Sequence, residues 1–379
     1  MKFRFLLLSL ALPLAAVAQT YTYSSLVDFP PASQLGPVNP NPITAIDAQG
    51  NLYGASQSGG LYCAPNGCGT VFEVSPAGAL TVLYSFSGPD GSAPRAGVTR
   101  DSSGNLYGTT FNGGAYQYYG ALYKLAPDGT ETVLYSFPNK PPFGNYPSTN
   151  LLVDGKGNLL GYTTYTDNNF ITNGGSIFKF TQPDSFSIWY TFAELGYGNN
   201  GTGPVGGLIK DKAGNYYGAT CCEGTRGNGT VFKITPPNTL TVLYSFNVFA
   251  DKVWSPQGSL VRDAAGNLYG VGLQGIYEVL ATGGEKVFYT YPQFTHPNQS
   301  LIIDASGNLY GTSGGGGAFG LGAVYRISPD GVETDLYSTP GPVLNDGLVM
   351  DQSGNIYGTE WRGGVNGTGS VFKLTKSAN

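Results

Sequence analysis

The sequence predicts an all-β chain folded as a seven-bladed β-propeller of four-stranded blades, and three observations carry that expectation. The box Asp-x-x-Gly-Asn-x-x-Gly recurs seven times, starting at Asp47, Asp101, Asp154, Asp211, Asp263, Asp304 and Asp351. Two further boxes follow in fixed order, one like GTVFEV after every copy and one like VLYSF after six of the seven. The seventh unit lacks that last box, while the N-terminal region carries a spare one. Starts lie 41 to 57 residues apart, the spacing of four-stranded blades.

The first eighteen residues, MKFRFLLLSLALPLAAVA, carry Lys2 and Arg4, an apolar run from Phe5 to Leu14, and Ala16-Val17-Ala18. This is the pattern of a cleaved signal peptide, and the run is too short to span a bilayer comfortably. The mature chain is expected to begin near Gln19, to keep no membrane span and to be secreted, into a periplasm or the medium. Residues 19–379 read as one propeller domain and a monomer. Gly 58 and Tyr 27 with 11% charged residues, and no run of 3.6 periodicity, argue against a helical enzyme. A net charge of -5 without any basic run excludes the electrostatic footprint of nucleic-acid binding.

Each unit then resolves into four strands rich in β-branched and aromatic residues, separated by Gly, Pro and Asn. The first lies upstream of the box, as in SLVRD ending at Asp263, and the box opens the second. The third starts at Gly69, Gly120, Gly175, Gly229, Gly275, Gly322 and Gly369; the fourth ends at Phe86, Phe137, Phe192, Phe246, Tyr291 and Thr339. The orphan YSSLVDF from Tyr23 to Phe29 is expected to supply the fourth strand of the last blade, closing the ring and removing exposed edges. An open solenoid is the competing architecture, and it would need capping repeats.

These recurring boxes, D-x-x-G-N-L-Y-G-T, G-x-V-F-K-L and L-Y-S-F, resemble the tandem repeats of the Gloeo/Verruco (GloVer) family over essentially the whole mature chain. The resemblance implies no established activity and no catalytic residues. The Asp-Gly-Asn part is also similar to blades of NHL and SMP-30-like β-propellers, which bears on fold and not on chemistry.

In the box itself, Asp suits position i of a type I turn and Gly position i+3, so a structural hairpin is the expected role. A calcium site would want several carboxylates in one loop, whereas each box offers one carboxylate and one amide. The second Gly, such as Gly54 or Gly311, is expected to mark close approach by another backbone or a ring, with the Tyr-rich strands of the next blade as its neighbours. Pro40, Pro94, Pro147, Pro204, Pro256 and Pro297 each lie seven residues before a box Asp and read as rigid entries to the inner strand.

Propeller geometry puts the short turns at one end and the long, dissimilar loops at the other, where function is expected. The loop-end candidates for a ligand surface are Tyr116, Tyr118, Tyr119, Phe143, Tyr146, Tyr197, Trp254, Trp361 and Arg362. Flat amphipathic rings among Asn and Gly suit a sugar, and equally suit packing of loop over blade. His296 is the single histidine, so a His-rich zinc site is impossible, and no metal or other cofactor is expected. For glycoside cleavage the loop-end acids are Glu194, Glu223, Asp251, Asp346 and Glu360, with Glu360, Glu223 and Asp251 as the catalytic candidates. Cys63 and Cys68 can close a small disulfide; Cys221 and Cys222 can form a vicinal one or stay free. The leading expectation is a secreted, non-enzymatic propeller that binds an extracellular polysaccharide or surface protein. The alternative is a glycoside hydrolase or lyase with carboxylates at the channel mouth, and a purely structural surface protein stands third.

Overall fold

In a computed structural model, residues 20–138, 145–165, 174–192, 199–291, 298–341 and 344–377 are described. Residues 1–18, expected to be a signal segment, and Phe143, Glu194, Tyr197, His296 and Pro297 lie outside them. The described residues form seven antiparallel sheets, each with the same radial order of inner, second, third and outer strand. In the first blade these are the split inner strand Pro37–Pro40 and Ala45–Ile46, then Leu52–Gly59, Thr70–Val74 and Leu80–Ser85. The blades are numbered here by their Asp boxes, from Asp47 in blade 1 to Asp351 in blade 7. No described helix is long and apolar enough to cross a membrane.

Closure follows the expected route. Tyr21–Asp28 pairs antiparallel with Ser370–Lys376, from Tyr21 opposite Lys376 to Asp28 opposite Ser370. The N-terminal strand is thus the outer strand of blade 7, and no open sheet edge is left between the last blade and the first.

The core is divided into seven wedges, one per interblade seam. Ala55, Val71 and Phe86 of blade 1 pack on Val98, Leu106 and Tyr123 of blade 2, and the same pattern recurs round to Phe29, Phe72 and Val371 at the seam of blades 7 and 1. The aromatic ending each outer strand locks the seam. Phe86, Phe137, Phe192 and Phe246 are all buried, and each sits 4.8 to 5.5 Å from the third-strand ring of the next blade. Its N–H donates back to the glycine opening its own blade's third strand, as Phe86 does to Gly69 at 3.0 Å.

The Asp box is a hydrogen-bonded turn. In Asp304 to Gly311, Asp304 Oδ1 accepts from the Ser306 and Asn308 N–H groups at 2.8 and 2.9 Å. Its Oδ2 accepts from Asn308 Nδ2 at 2.8 Å and from the Tyr310 hydroxyl at 2.9 Å. Gly307 closes the turn at φ +82°, a left-handed conformation that favours glycine. The Asn amide bonds its Asp in all seven boxes, and the Tyr six residues on does so in every box except that of Asp154, where Leu160 stands instead. Both carboxylate oxygens thus face donors, the reverse of what a bound cation requires.

The second Gly corrects one expectation. Its close neighbour is a ring of its own blade, directly across the ladder, rather than a strand of the next blade. Gly54 lies opposite Phe72, and a Cβ there would stand 2.6 Å from the ring and 2.9 Å from Ile43 Cδ1. Tyr123, Phe178, Phe232, Tyr277, Tyr325 and Phe372 cover Gly108, Gly161, Gly218, Gly270, Gly311 and Gly358 likewise, and at Gly218 the Tyr162 hydroxyl of blade 3 comes closer still, 2.2 Å from where a Cβ would stand. Only glycine leaves room for a ring laid flat across the sheet.

Candidate functional site in the channel mouth

Pro40, Pro94, Pro147, Pro204 and Pro256 help build the loop end of the channel. A Cβ on Gly69, Gly120, Gly175 or Gly229 would stand 2.7 to 2.9 Å from Cδ of Pro94, Pro147, Pro204 or Pro256 in the following blade. The residue before the proline is held left-handed: Asn39 at φ 55°, Ala93 at 49°, Tyr146 at 54° and Ser255 at 51°. Such a conformation costs a non-glycine residue on the order of 1 kcal/mol. A hydrogen bond fixes it in place, because that residue's N–H donates to the preceding blade, as Ala93 does to Cys68 O at 2.8 Å and Ser255 to Asn228 O at 3.0 Å. The residue after the proline is thereby aimed at the axis.

At this position the seven units carry Asn41, Arg95, Ser148, Val205, Gln257, Asn298 and Asn345. Asn41, Arg95, Asn298 and Asn345 line a cavity of about 390 Å³ between blades 1, 2, 6 and 7, with Gln57, Gln299, Asp346 and Trp361. The amides are held by interblade bonds: Asn41 Nδ2 donates to Pro94 O at 2.8 Å, Asn298 Nδ2 to Leu344 O at 3.0 Å and Asn345 Nδ2 to Pro40 O at 2.5 Å. Below the mouth, inner strands of six blades line a second space of about 520 Å³ with Ile46, Leu151, Leu301, Ile302, Leu348 and Met350. A polar rim thus opens over an aliphatic bore.

Asp346 is the acid on the mouth wall. Its oxygens accept from Ser300 N at 2.6 Å and Ser300 Oγ at 3.1 Å. Burial pushes its carboxyl above the ordinary value against those bonds, so it holds a proton more readily than an exposed acid. Asp346 nonetheless lines the cavity.

The sequence-derived candidates separate into three groups. Trp361 lines the cavity, and Arg362 lies over its ring at 4.4 Å. Tyr118, Tyr119 and Tyr146 come together as a strip: Tyr118 to Tyr119 at 6.5 Å, Tyr119 to Tyr146 at 5.9 Å, and Tyr146 to Phe111 at 4.8 Å. Arg95 sits 3.5 Å over Phe111 and joins this strip to the mouth. Trp254 packs instead on the seam of blades 4 and 5.

The three catalytic candidates do not converge on the mouth. Glu360 is buried, accepting from Ser370 Oγ at 2.7 Å and from the Tyr23 hydroxyl at 3.3 Å. It occupies a ladder position where other blades pair hydroxyls, as Ser56 with Thr70 at 2.8 Å. Its carboxylate therefore ties the closing strand to the last blade. Asp251 caps a turn, accepting from Asn247 N at 2.7 Å and the Tyr244 hydroxyl at 2.8 Å. Glu223 follows the cysteine pair at φ 56°. The cysteines are placed for disulfides as Cys63–Cys68 and Cys221–Cys222. Among the described residues no group of three or more His, Cys, Asp or Glu is placed to hold a metal.

Arg95, Phe111 and the amides at the mouth are the residues that sequence reasoning missed. Aligning the units on their prolines would have found Arg95, the only charge among seven equivalent positions. A family model described as the Gloeobacter/Verrucomicrobia repeat matches residues 39–282, well over half of the chain. The chain belongs to the Gloeobacter/Verrucomicrobia repeat family. The matched residues run from the inner strand of blade 1 to the third strand of blade 5. No curated protein matches the sequence. Among solved structures, the chain is similar to a streptogramin B lyase (14% identity, 94% of this chain and 98% of that one, TM-score 0.64). It is similar to the virginiamycin B lyase of Staphylococcus aureus (15%, 94% and 99%, 0.63), and to a gluconolactonase from Xanthomonas campestris (14%, 94% and 90%, 0.52). At these identities the likeness is one of fold.

Proposed function

We propose that this propeller is a secreted binding protein that takes an extracellular polysaccharide across its loop end, with one sugar unit seated in the channel mouth. The observation that carries this reading is the composition of the mouth: the Trp361 ring beside fixed side-chain amides, continued outward by Phe111, Tyr146, Tyr119 and Tyr118. A ring covers the apolar face of a pyranose while amides meet its hydroxyls. The signal-like N-terminus supports this reading, since such polymers lie outside the cell. Retention of the purified protein on a panel of immobilised polysaccharides tests it. Trp361→Ala and Tyr118→Ala are each expected to weaken binding up to about tenfold without changing the melting temperature. Failure to bind any polysaccharide, or unchanged binding by both variants, would overturn the proposal.

A second reading is favoured by Asp346, an acid on the cavity wall whose proton affinity is raised by burial. In a carbohydrate-active enzyme, lyase or hydrolase, it would be the proton donor. New reducing ends or unsaturated products from a bound polysaccharide, lost in Asp346→Asn, would favour that reading over simple binding.

A further inference from the structure

Arg95 breaks the repeat at the place where a ligand would be read. Its counterparts are neutral in all six other blades, and its guanidinium is exposed at the rim of the mouth. No acid pairs with it among the described residues, whose single salt bridge joins Lys286 to Glu278. Phe111 supports one face of the guanidinium at 3.5 Å, which leaves the in-plane N–H fork free to meet a planar anion. The protein's net charge is -5, so this cation does not belong to a general basic surface. Asp346 borders the same cavity, but its oxygens are turned to Ser300.

From these observations we infer that the mouth selects carboxylated sugars, with Arg95 binding the ligand carboxylate through two parallel N–H···O bonds. The inference rests on the proposed sugar-binding role and names its substrate class. Uronic-acid residues combine what the site offers, a carboxylate for Arg95 and a pyranose face for Trp361. The strip from Phe111 to Tyr118 then receives the following residues of the chain.

The test is calorimetric titration of the full chain with an oligogalacturonate and with the same oligomer fully methyl-esterified. Wild type is expected to bind the acid form at least about tenfold more tightly, as a charge-assisted bond requires, and to lose that margin in 0.5 M salt, added to screen the pair (~4 Å Debye length). Arg95→Gln should bind both forms as wild type binds the ester, and Arg95→Lys should keep part of the preference. Because Arg95 is exposed, unchanged melting temperatures will show that the variants fold. Equal binding of acid and ester by wild type, or a preference that survives in Arg95→Gln, overturns this inference alone. Binding of neither form by a protein that also ignores every neutral polysaccharide overturns the sugar-binding role with it.

Discussion

The two ends of this propeller are joined by the same strands and obey opposite constraints. At the Asp-box end every blade repeats one turn, in which a single carboxylate gathers backbone N–H groups, an Asn amide and, in six blades, a Tyr hydroxyl. At the loop end the backbone latch repeats, with a left-handed residue, a proline and a glycine of the neighbouring blade, while the side chains it presents do not. Repetition therefore marks residues that hold the blade. Departure from it, as at Arg95 or Asp346, marks residues free to do something else. If this division is right, substitutions at the two ends should separate stability from binding.

The largest effect is expected at the turn. Asp304→Ala removes an acceptor from four donors, one of them the hydroxyl of the buried Tyr310, and should cost about 2 to 4 kcal/mol. Denaturant midpoints measure this, and sugar binding by the folded fraction should be unchanged. The pH dependence has a definite sign. Burial raises the Asp304 carboxyl, but bonds from Asn308, Tyr310 and Ser306 outweigh it and hold the group below its ordinary value. A depressed folded pKa adds stability that is present above the unfolded value of about 3.9 and is lost as pH falls through the folded one. Wild type should thus lose more stability between pH 5 and pH 3, roughly the span of that titration, than Asp304→Ala does.

Next in size is the glycine under the ring. Gly54→Ala forces a methyl against Phe72 and Ile43, and overpacking of this kind costs about 1 to 3 kcal/mol. If the ring is the cause, Phe72→Leu should relieve part of that cost, and the double variant should be less destabilised than the sum of the singles. Strict additivity would assign the glycine's role to backbone freedom instead.

Much of this frame was legible in the sequence, because a repeat prints each structural rule several times. Seven Asp boxes counted the blades, and the spare YSSLVDF foretold the closing strand. What the boxes did not show was direction. Gly54 announced a close approach, yet only the register reveals that it is a ring, Phe72 of its own blade. The site was less legible for a related reason. Tyr118 and Tyr119 lie in one segment, Tyr146 in another, and Arg95 in a third, where the repeated proline drew attention and the residue after it did not. Proximity across a seam leaves no trace in spacing. Glu360 drew attention through its neighbours Trp361 and Arg362, but strand alternation turns it inward to Ser370 and Tyr23.

The smallest expected effect lies between the two ends, where equivalent seams differ by their acids. Glu131 at the seam of blades 1 and 2, and Glu285 at that of blades 4 and 5, each hold one buried carboxylate oxygen without a hydrogen-bond partner. Burial, and secondarily the charge of Asp90 or Asp251, pushes each up to about 7. A raised acid favours the folded state only while protonated, so stability should fall as pH rises from about 4.3, the unfolded value, to about 7. Replacing Glu131 and Glu285 by Gln supplies the neutral form at every pH. Both groups are partly exposed, so the gain is discounted to on the order of 1 kcal/mol each, or about 2 to 3 °C in Tm for the double variant at pH 8. No gain is expected near pH 4, where the acids are already protonated. Glu333 occupies the same strand position but accepts a hydrogen bond from the Tyr289 hydroxyl. Glu333→Gln exchanges that charged acceptor for a weaker, neutral amide oxygen and should gain nothing at pH 8, which separates an unpartnered acid from charge in general as the cause.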